Sequence, residues 1–225
     1  MESGTGSSER EDTGPVFWTD SLMAWGDWPV VWYVSVLLLA LETITANILG
    51  DYGRVQWGII FVCVVLLPAL AEVLTPIRFP WLLKWLIALT LIMHMAGGLY
   101  GFYNSLYPVY DKICHFVASS TISFIIFELI LVSSMVSGLK PKRRIIMATI
   151  FIIVILLALS WEYAEYTIDA LTGSDYFVSY TDSFFDMVFN TIGIGFVLFW
   201  VSRYMKREPF DRVTQRFMSF REEDP

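Results

Sequence analysis

The segment RIIMATIFIIVILLALSWEYAEY, residues 144–166, decides the fold class, because no charged residue interrupts it between Arg144 and Glu162. A helix needs roughly 20 predominantly apolar residues to cross the hydrocarbon core of a bilayer, which is about 30 Å thick. The segment therefore predicts a transmembrane helix. Its far end carries two carboxylates, Glu162 and Glu165, whose spacing of three places them on one helix face.

Five other stretches have similar length and character, and the chain as a whole is strongly apolar. Hydrophobic residues make up 56% of the 225 residues, and the mean hydropathy is +0.59, which lies outside the usual range of soluble globular domains. The sequence therefore predicts an all-α fold, a polytopic transmembrane bundle of six helices. The predicted spans are residues 30–49, 55–74, 81–100, 112–134, 144–166 and 183–204.

Lysine and arginine are distributed unevenly between the segments that join the spans. Short loops rich in these residues stay in the cytoplasm. Of the 15 lysine and arginine residues, only Arg54 and Lys112 lie on one side of the predicted bundle, and the other 13 lie on the opposite side. We therefore predict a multi-pass protein of the cell membrane with both termini cytoplasmic. The 13 residues are Arg10, Arg78, Lys84, Lys140, Lys142, Arg143, Arg144, Arg203, Lys206, Arg207, Arg212, Arg216 and Arg221.

The regions outside the spans differ in composition. Residues 1–15 are small, polar and acidic and predict a disordered tail, and residues 16–29 form an aromatic segment typical of the membrane interface. Residues 30–204 make up the predicted transmembrane domain. Residues 205–225 predict a cytoplasmic tail, which is either an amphipathic helix on the membrane surface or a helix docked against the bundle. No nucleic-acid motif occurs, so the expected partner is the lipid bilayer and not a nucleic acid.

Polar side chains are concentrated at one depth of the predicted bundle. A charged group costs about 2.5–3.5 kcal/mol at the centre of a membrane helix, so such groups usually line a bundle interior or a wet cavity. With the orientation above, four spans place polar side chains in the outer third of the membrane. The candidate site residues are His94 of the third span, Asp111 and His115 of the fourth, Glu162 and Glu165 of the fifth, and Asp182, Asp186 and Asn190 of the sixth.

Each candidate also has an ordinary structural explanation. Asp182 could cap a helix, Asn190 could join two helices by a hydrogen bond, and Asp111 with Lys112 could begin a helix at the interface. The occurrence of all the candidates at one level favours a shared site, because unrelated residues would be scattered over both leaflets. The outward surface is mostly acidic, and such a field attracts cations and repels bare anions.

Four short motifs resemble those of the YjdF-like membrane proteins, which are related to the VanZ-like family. They are HMAGGLYGFY at 94–103, DKICHF at 111–116, WEYAE at 161–165 and DSFFDMVFNTIG at 182–193. The resemblance implies a polytopic helical membrane protein and little about its chemistry. It also implies that seven of the candidate residues occupy the polar positions of the family, namely Asp111, His115, Glu162, Glu165, Asp182, Asp186 and Asn190.

Three functions are compatible with these features. The first is an enzyme or binding protein that acts on a lipid-linked or envelope substrate, with Glu162 and Glu165 as the candidate catalytic residues, of which either could be the general base for a bound water or could support the metal ligands. The second is a small proton- or cation-coupled transporter. The third is a structural or accessory protein whose polar cluster only locks the helices together.

A divalent metal such as zinc or manganese is the cofactor that these residue types suggest, because imidazole and carboxylate ligands together suit those ions better than calcium. The predicted ligands are His94, His115, Asp182 and Asp186. No group of lysine or arginine residues accompanies them in the sequence, so we predict that a metal would have to supply the positive charge of the site.

Overall fold

The computed structural model of the chain describes residues 29–75, 77, 79–173, 178–207, 210, 212 and 213. These residues form helices and contain no strand, which confirms the all-α fold class. The predicted disordered tail, nearly all of the predicted aromatic segment and most of the predicted cytoplasmic tail lie outside the described residues. The helices are α1 (Pro29–Ile48), α2 (Tyr52–Leu74), α3 (Trp81–Leu99), α4 (Phe102–Ser105), α5 (Val109–Ser137), α6 (Arg143–Thr172) and α7 (Tyr180–Arg207).

Five of these helices have the length and apolar composition of a membrane span. They are α2, α3, α5, α6 and α7, and each contains at least 18 residues of suitable hydropathy. The multi-pass character of the protein is therefore confirmed. The apolar part of α1, Trp32–Ile48, is shorter, so a sixth crossing remains a prediction.

The helix at the centre of the bundle is α5, which packs most extensively on α7 and also contacts α3 and α6. Its side chains Phe127 and Leu131 are fully buried together with Ile150 of α6 and Val197 of α7. Helices α1 and α2 pack on each other and on α3, around a second and smaller apolar core. The bundle therefore has α5 inside, with α1 and α2 at one side.

Gly193 sets the close approach of α7 to α5. A Cβ atom at this position would lie 2.6 Å from the carbonyl oxygen of Phe116 and would also collide with the Ser119 hydroxyl. Small residues allow membrane helices to approach in this way. The hydroxyl of Ser120 donates a hydrogen bond to the carbonyl of Gly193 at 3.3 Å, which joins the two helices at the same level.

We expect Gly193→Ala to lower the free energy of unfolding by about 1–3 kcal/mol, because overpacking forces the backbones apart. Gly195→Ala is the matched control, since a Cβ atom there would meet nothing within 4 Å and both changes gain the same helix propensity. Thermal unfolding of both variants in detergent measures the difference. Equal midpoints for the two variants would contradict this packing.

The connection between α3 and α5 folds back over the end of the bundle. Gly101 makes this possible, because its φ of +70° lies in the left-handed region that favours glycine. The turn brings Tyr103 beside α3 and Tyr107 beside α7, where their hydroxyls meet His94 and Asp182. Polar groups of the connection thus cover the end at which α3 and α6 finish and α5 and α7 begin.

Candidate functional site

Lys112 lies at the centre of a cluster of aspartates between α5 and α7. Its side chain is buried, and its Nζ donates hydrogen bonds to Asp186 Oδ1 at 2.6 Å, Asp182 Oδ1 at 2.6 Å and Asp111 Oδ2 at 3.0 Å. An ammonium group has three donors, so each of them has a carboxylate partner. A buried charge requires this degree of pairing.

The Lys112 ammonium supplies part of the positive charge that the sequence analysis assigned to a metal alone. The sequence-based interpretation treated Lys112 as a residue of the outward surface. One signal could have identified it. Lys112 lies three positions before His115, and that spacing places two side chains on the same face of a helix.

His115 lies beside the lysine cluster and contacts α7 with both ring nitrogens. Its Nε2 is 3.3 Å from Asp186 Oδ1 and 3.7 Å from Asp111 Oδ1. Its Nδ1 is 3.3 Å from Asn190 Nδ2. Among the described residues, Asp111, His115 and Asp186 form a group that could hold a metal ion, since one ligand atom from each lies within 4.8 Å of the others.

Glu162 of α6 faces the same cluster and is only 9% exposed. Both of its carboxylate oxygens are buried, and neither makes a hydrogen bond of normal geometry in the described part of the chain, although the hydroxyl of Ser183 on α7 lies close enough to stabilise the charged carboxylate. The ionisable groups that act on it electrostatically are Asp186, His115 and Asp111. A buried carboxylate without a hydrogen bond of normal geometry is unfavourable by several kcal/mol unless it takes up a proton or meets a ligand.

His94 and Glu165 lie at the rim of the cluster. The His94 side chain is exposed, and its Nδ1 is 3.0 Å from the hydroxyl of Tyr103. The Trp161 ring lies edge-on to His94 with 6.3 Å between the ring centroids. The indole Nε1 of Trp161 donates a hydrogen bond of normal length to Glu165 Oε1 at 2.8 Å, which Glu162 lacks.

Two tyrosines outside the spans bound the site with protonated hydroxyls. The Tyr107 hydroxyl donates to Asp182 at 2.9 Å, and this hydrogen bond is the main cause that raises the pKa of Tyr107 above its ordinary value. Burial raises the pKa of Tyr103. Both phenols therefore keep their protons at neutral pH and remain available as hydrogen-bond donors.

The structure brings most of the predicted site residues together at one end of the bundle. Lys112 or His115 contacts each of Asp111, Asp182, Asp186 and Asn190. Of the predicted metal ligands, His115 and Asp186 belong to the group with metal-ligand spacing, in which Asp111 is the third member. Asp182 is bonded to Lys112 and Tyr107, and His94 lies outside the group.

Two other buried carboxylates lie away from the cluster. Glu128 of α5 is 2% exposed, and neither of its oxygens has a hydrogen-bond partner among the described residues. Its neighbours along α5, Phe127 and Leu131, belong to the main apolar core. Glu42 of α1 is buried with one such oxygen. Glu128 is useful below because it resembles Glu162 in burial and differs from it in surroundings.

These features define a polytopic helical membrane protein with a polar cluster at one end of its helices. The chain belongs to the family described as predicted membrane protein (DUF2238), whose model matches residues 30–207. This membership confirms the resemblance to YjdF-like membrane proteins and does not show the relation to the VanZ-like family. No curated protein and no solved structure gives a significant match to the chain.

Proposed function

We propose that this protein binds and chemically modifies the polar part of a lipid-linked or envelope substrate, using the cluster around Lys112 and His115 as an acid–base site. The observation that carries the proposal is the buried carboxylate of Glu162, which makes no hydrogen bond of normal geometry in the described residues and interacts electrostatically with His115 and Asp186. A cluster that only locked helices together would pair each of its buried groups, because an unpaired one reduces stability.

The residues divide into two roles. His115 and Glu162 are the proton-transfer groups, since both face the centre of the cluster and imidazole and carboxyl groups commonly act as general acids and bases. Lys112 holds the three aspartates in place, and Asn190 orients the His115 ring through Nδ1. Glu165 assists from the rim.

The limited packing between two helices beside the site favours a lipid-linked substrate. Helices α3 and α6 both pack on α5 but do not pack extensively on each other. The exposed side chains of His94 and Trp161 lie in the space between them. A molecule whose tail remains in the bilayer could therefore place its head group beside Glu162 without passing through the helix bundle.

The charge of the site favours a neutral or cationic head group over a bare phosphate. Three aspartates bind one lysine and two glutamates interact electrostatically with aspartates of this group, so the site has an excess of carboxylates whose field repels anions. The five carboxylates are Asp111, Glu162, Glu165, Asp182 and Asp186. Hydroxyl-rich groups and amines are the chemistry that such acceptors bind.

The proposal is tested with purified full-length protein in liposomes made from the lipid extract of its source membrane. Mass spectrometry of the lipids over time should detect at least one polar lipid that is consumed by the wild-type protein. His115→Gln should abolish this conversion, while Glu128→Gln, a change of a buried carboxylate outside the site, should retain it. No change in any lipid with the wild-type protein would contradict an enzymatic role.

We further propose six crossings with both termini in the cytoplasm, which places the cluster in the outer half of the membrane. The support is the distribution of lysine and arginine described above. A phosphatase reporter that is active only outside the cytoplasm should be inactive after residue 225 and active when inserted within residues 174–177. The reverse pattern would place the cluster in the inner half.

A further inference from the structure

We propose that Asp111, His115 and Asp186 hold a divalent transition-metal ion, of the zinc or manganese class, with an open coordination position toward Glu162. This inference deepens the proposed function and rests on the same cluster. It replaces His94 and Asp182 of the ligand set predicted from the sequence with Asp111.

Two of the three distances between the ligand atoms fit a shared ion better than they fit hydrogen bonds, and the third, between the two aspartates, is at most 4.8 Å. Histidine nitrogen and carboxylate oxygen bind zinc at about 2.0–2.2 Å, and in a tetrahedron the distance between ligands is about 1.6 times that length, or roughly 3.3–3.6 Å. The His115 Nε2 lies 3.3 Å from Asp186 Oδ1 and 3.7 Å from Asp111 Oδ1. An N–H···O hydrogen bond would typically measure about 2.7–3.2 Å.

The cluster has more carboxylates than positive charges, and this imbalance favours the binding of a cation. Lys112 contributes one positive charge, whereas Asp111, Asp182, Asp186 and Glu162 contribute four carboxylates. Neighbouring carboxylates in a low dielectric repel one another unless they share a proton or a cation. A divalent ion bound by two of the aspartates offsets two of the three remaining negative charges.

Glu162 is not one of the three proposed ligands, and it gives separate support for a metal site. Its oxygens are buried and interact electrostatically with Asp186 and His115, and they make no hydrogen bond of normal geometry among the described residues, where the Ser183 hydroxyl is the nearby polar group. Three protein ligands with an open fourth position are typical of catalytic zinc sites. A water molecule in that position would give its proton to Glu162, and the hydroxide left on the metal would be the nucleophile.

Asn190 can serve as the group that orients His115 toward the ion. A metal-bound histidine usually donates its other ring N–H to an oxygen acceptor. The Asn190 carboxamide lies 3.3 Å from His115 Nδ1 with its nitrogen toward the ring. A half-turn of the amide presents its oxygen instead, which accepts the Nδ1 proton and leaves the Nε2 lone pair for the metal.

The test is the metal content of full-length protein purified without chelator after zinc or manganese is supplied. Wild-type protein should contain an equimolar amount of metal, and Asp186→Asn and His115→Ala should lose at least nine-tenths of it. Asp182→Asn is the matched control on the same helix, since Asp182 is bonded to Lys112 and Tyr107, and it should retain the metal. Size-exclusion chromatography establishes that each variant is folded.

Cobalt provides a second readout that does not depend on activity. Cobalt-loaded wild-type protein should show the intense visible absorption of a tetrahedral ion, and Asp186→Asn should lack it. Metal-free wild-type protein, or equal metal in wild type and Asp186→Asn, would overturn the inference. Lipid conversion that still requires His115 would then leave the proposed function intact, whereas bound metal without any conversion would contradict only the proposed function.

Discussion

Replacing Lys112 by methionine will lower the free energy of unfolding by about 3–5 kcal/mol, which is the usual result of removing one partner from a buried ion pair. The expected loss is large because three aspartates share this one ammonium at 2.6–3.0 Å. In the variant these carboxylates would remain buried without compensation. The measurement is the unfolding transition of purified protein in detergent.

Two comparisons make the Lys112 result specific to the cluster. Lys84→Met removes an ion pair with a single carboxylate, Glu72, and the Lys84 side chain is more exposed than that of Lys112, so we expect a smaller loss. Adding Asp182→Asn and Asp186→Asn to Lys112→Met should restore part of the stability, because the uncompensated charges disappear. A Lys112→Met variant that is as stable as wild type would contradict the placement of this lysine.

Glu162→Gln is the substitution with the largest expected effect on activity. If Glu162 transfers a proton in the reaction, the amide cannot replace it, and lipid conversion should fall by about 10²–10⁴-fold. The amide has nearly the same shape and leaves the packing of α6 unchanged. The measurement is the initial rate of lipid consumption in the liposome assay.

The control for this effect is Glu128→Gln, because Glu128 is also buried and also makes no hydrogen bond of normal geometry in the described residues. It lies beside residues of the apolar core, 13 residues along α5 from His115, which is about 20 Å at the rise of an α-helix. The rate of lipid consumption by Glu128→Gln should match that of wild type. Equal rates for Glu162→Gln and wild type would remove Glu162 from the proton-transfer step.

The fold class could be predicted from the sequence because the thickness of the bilayer sets the length of an apolar helix. Runs such as residues 144–166 therefore correspond to the long helices of the structure. The first run, residues 30–49, stays a prediction, since the apolar part of α1 is shorter than those of the other spans. Hydropathy also gives the depth of each polar residue, and depth grouped the candidates at one end of the bundle.

Depth does not give the direction in which a side chain points around its helix. Glu162 and Glu165 lie at the same level, yet Glu162 faces the cluster and Glu165 is bonded to Trp161. His94 shares that level, and the turn at Gly101 brings Tyr103 to it as a partner. The Trp161–Glu165 contact is local, but the direction of Glu162 depends on the packing of α6 against α5 and α7, which no local pattern contains.

The role of Lys112 depends on tertiary packing in the same way. A lysine at the start of a membrane helix usually extends toward water. Here α7 approaches α5 closely at Gly193 and brings Asp182 and Asp186 onto the ammonium. The glycine and the two acids are all visible in the sequence, but their position relative to Lys112 follows only from the crossing of the two helices.

The unfolding midpoint of Glu162→Gln relative to wild type tests most directly whether the cluster is built for a ligand, and it requires no knowledge of the substrate. Functional sites commonly retain groups that reduce stability, and Glu162 makes no hydrogen bond of normal geometry in the described residues. We predict that the variant is at least as stable as wild type in the absence of added ligand. A midpoint clearly below that of wild type would show that Glu162 is a structural partner, and the cluster would then be a lock between helices.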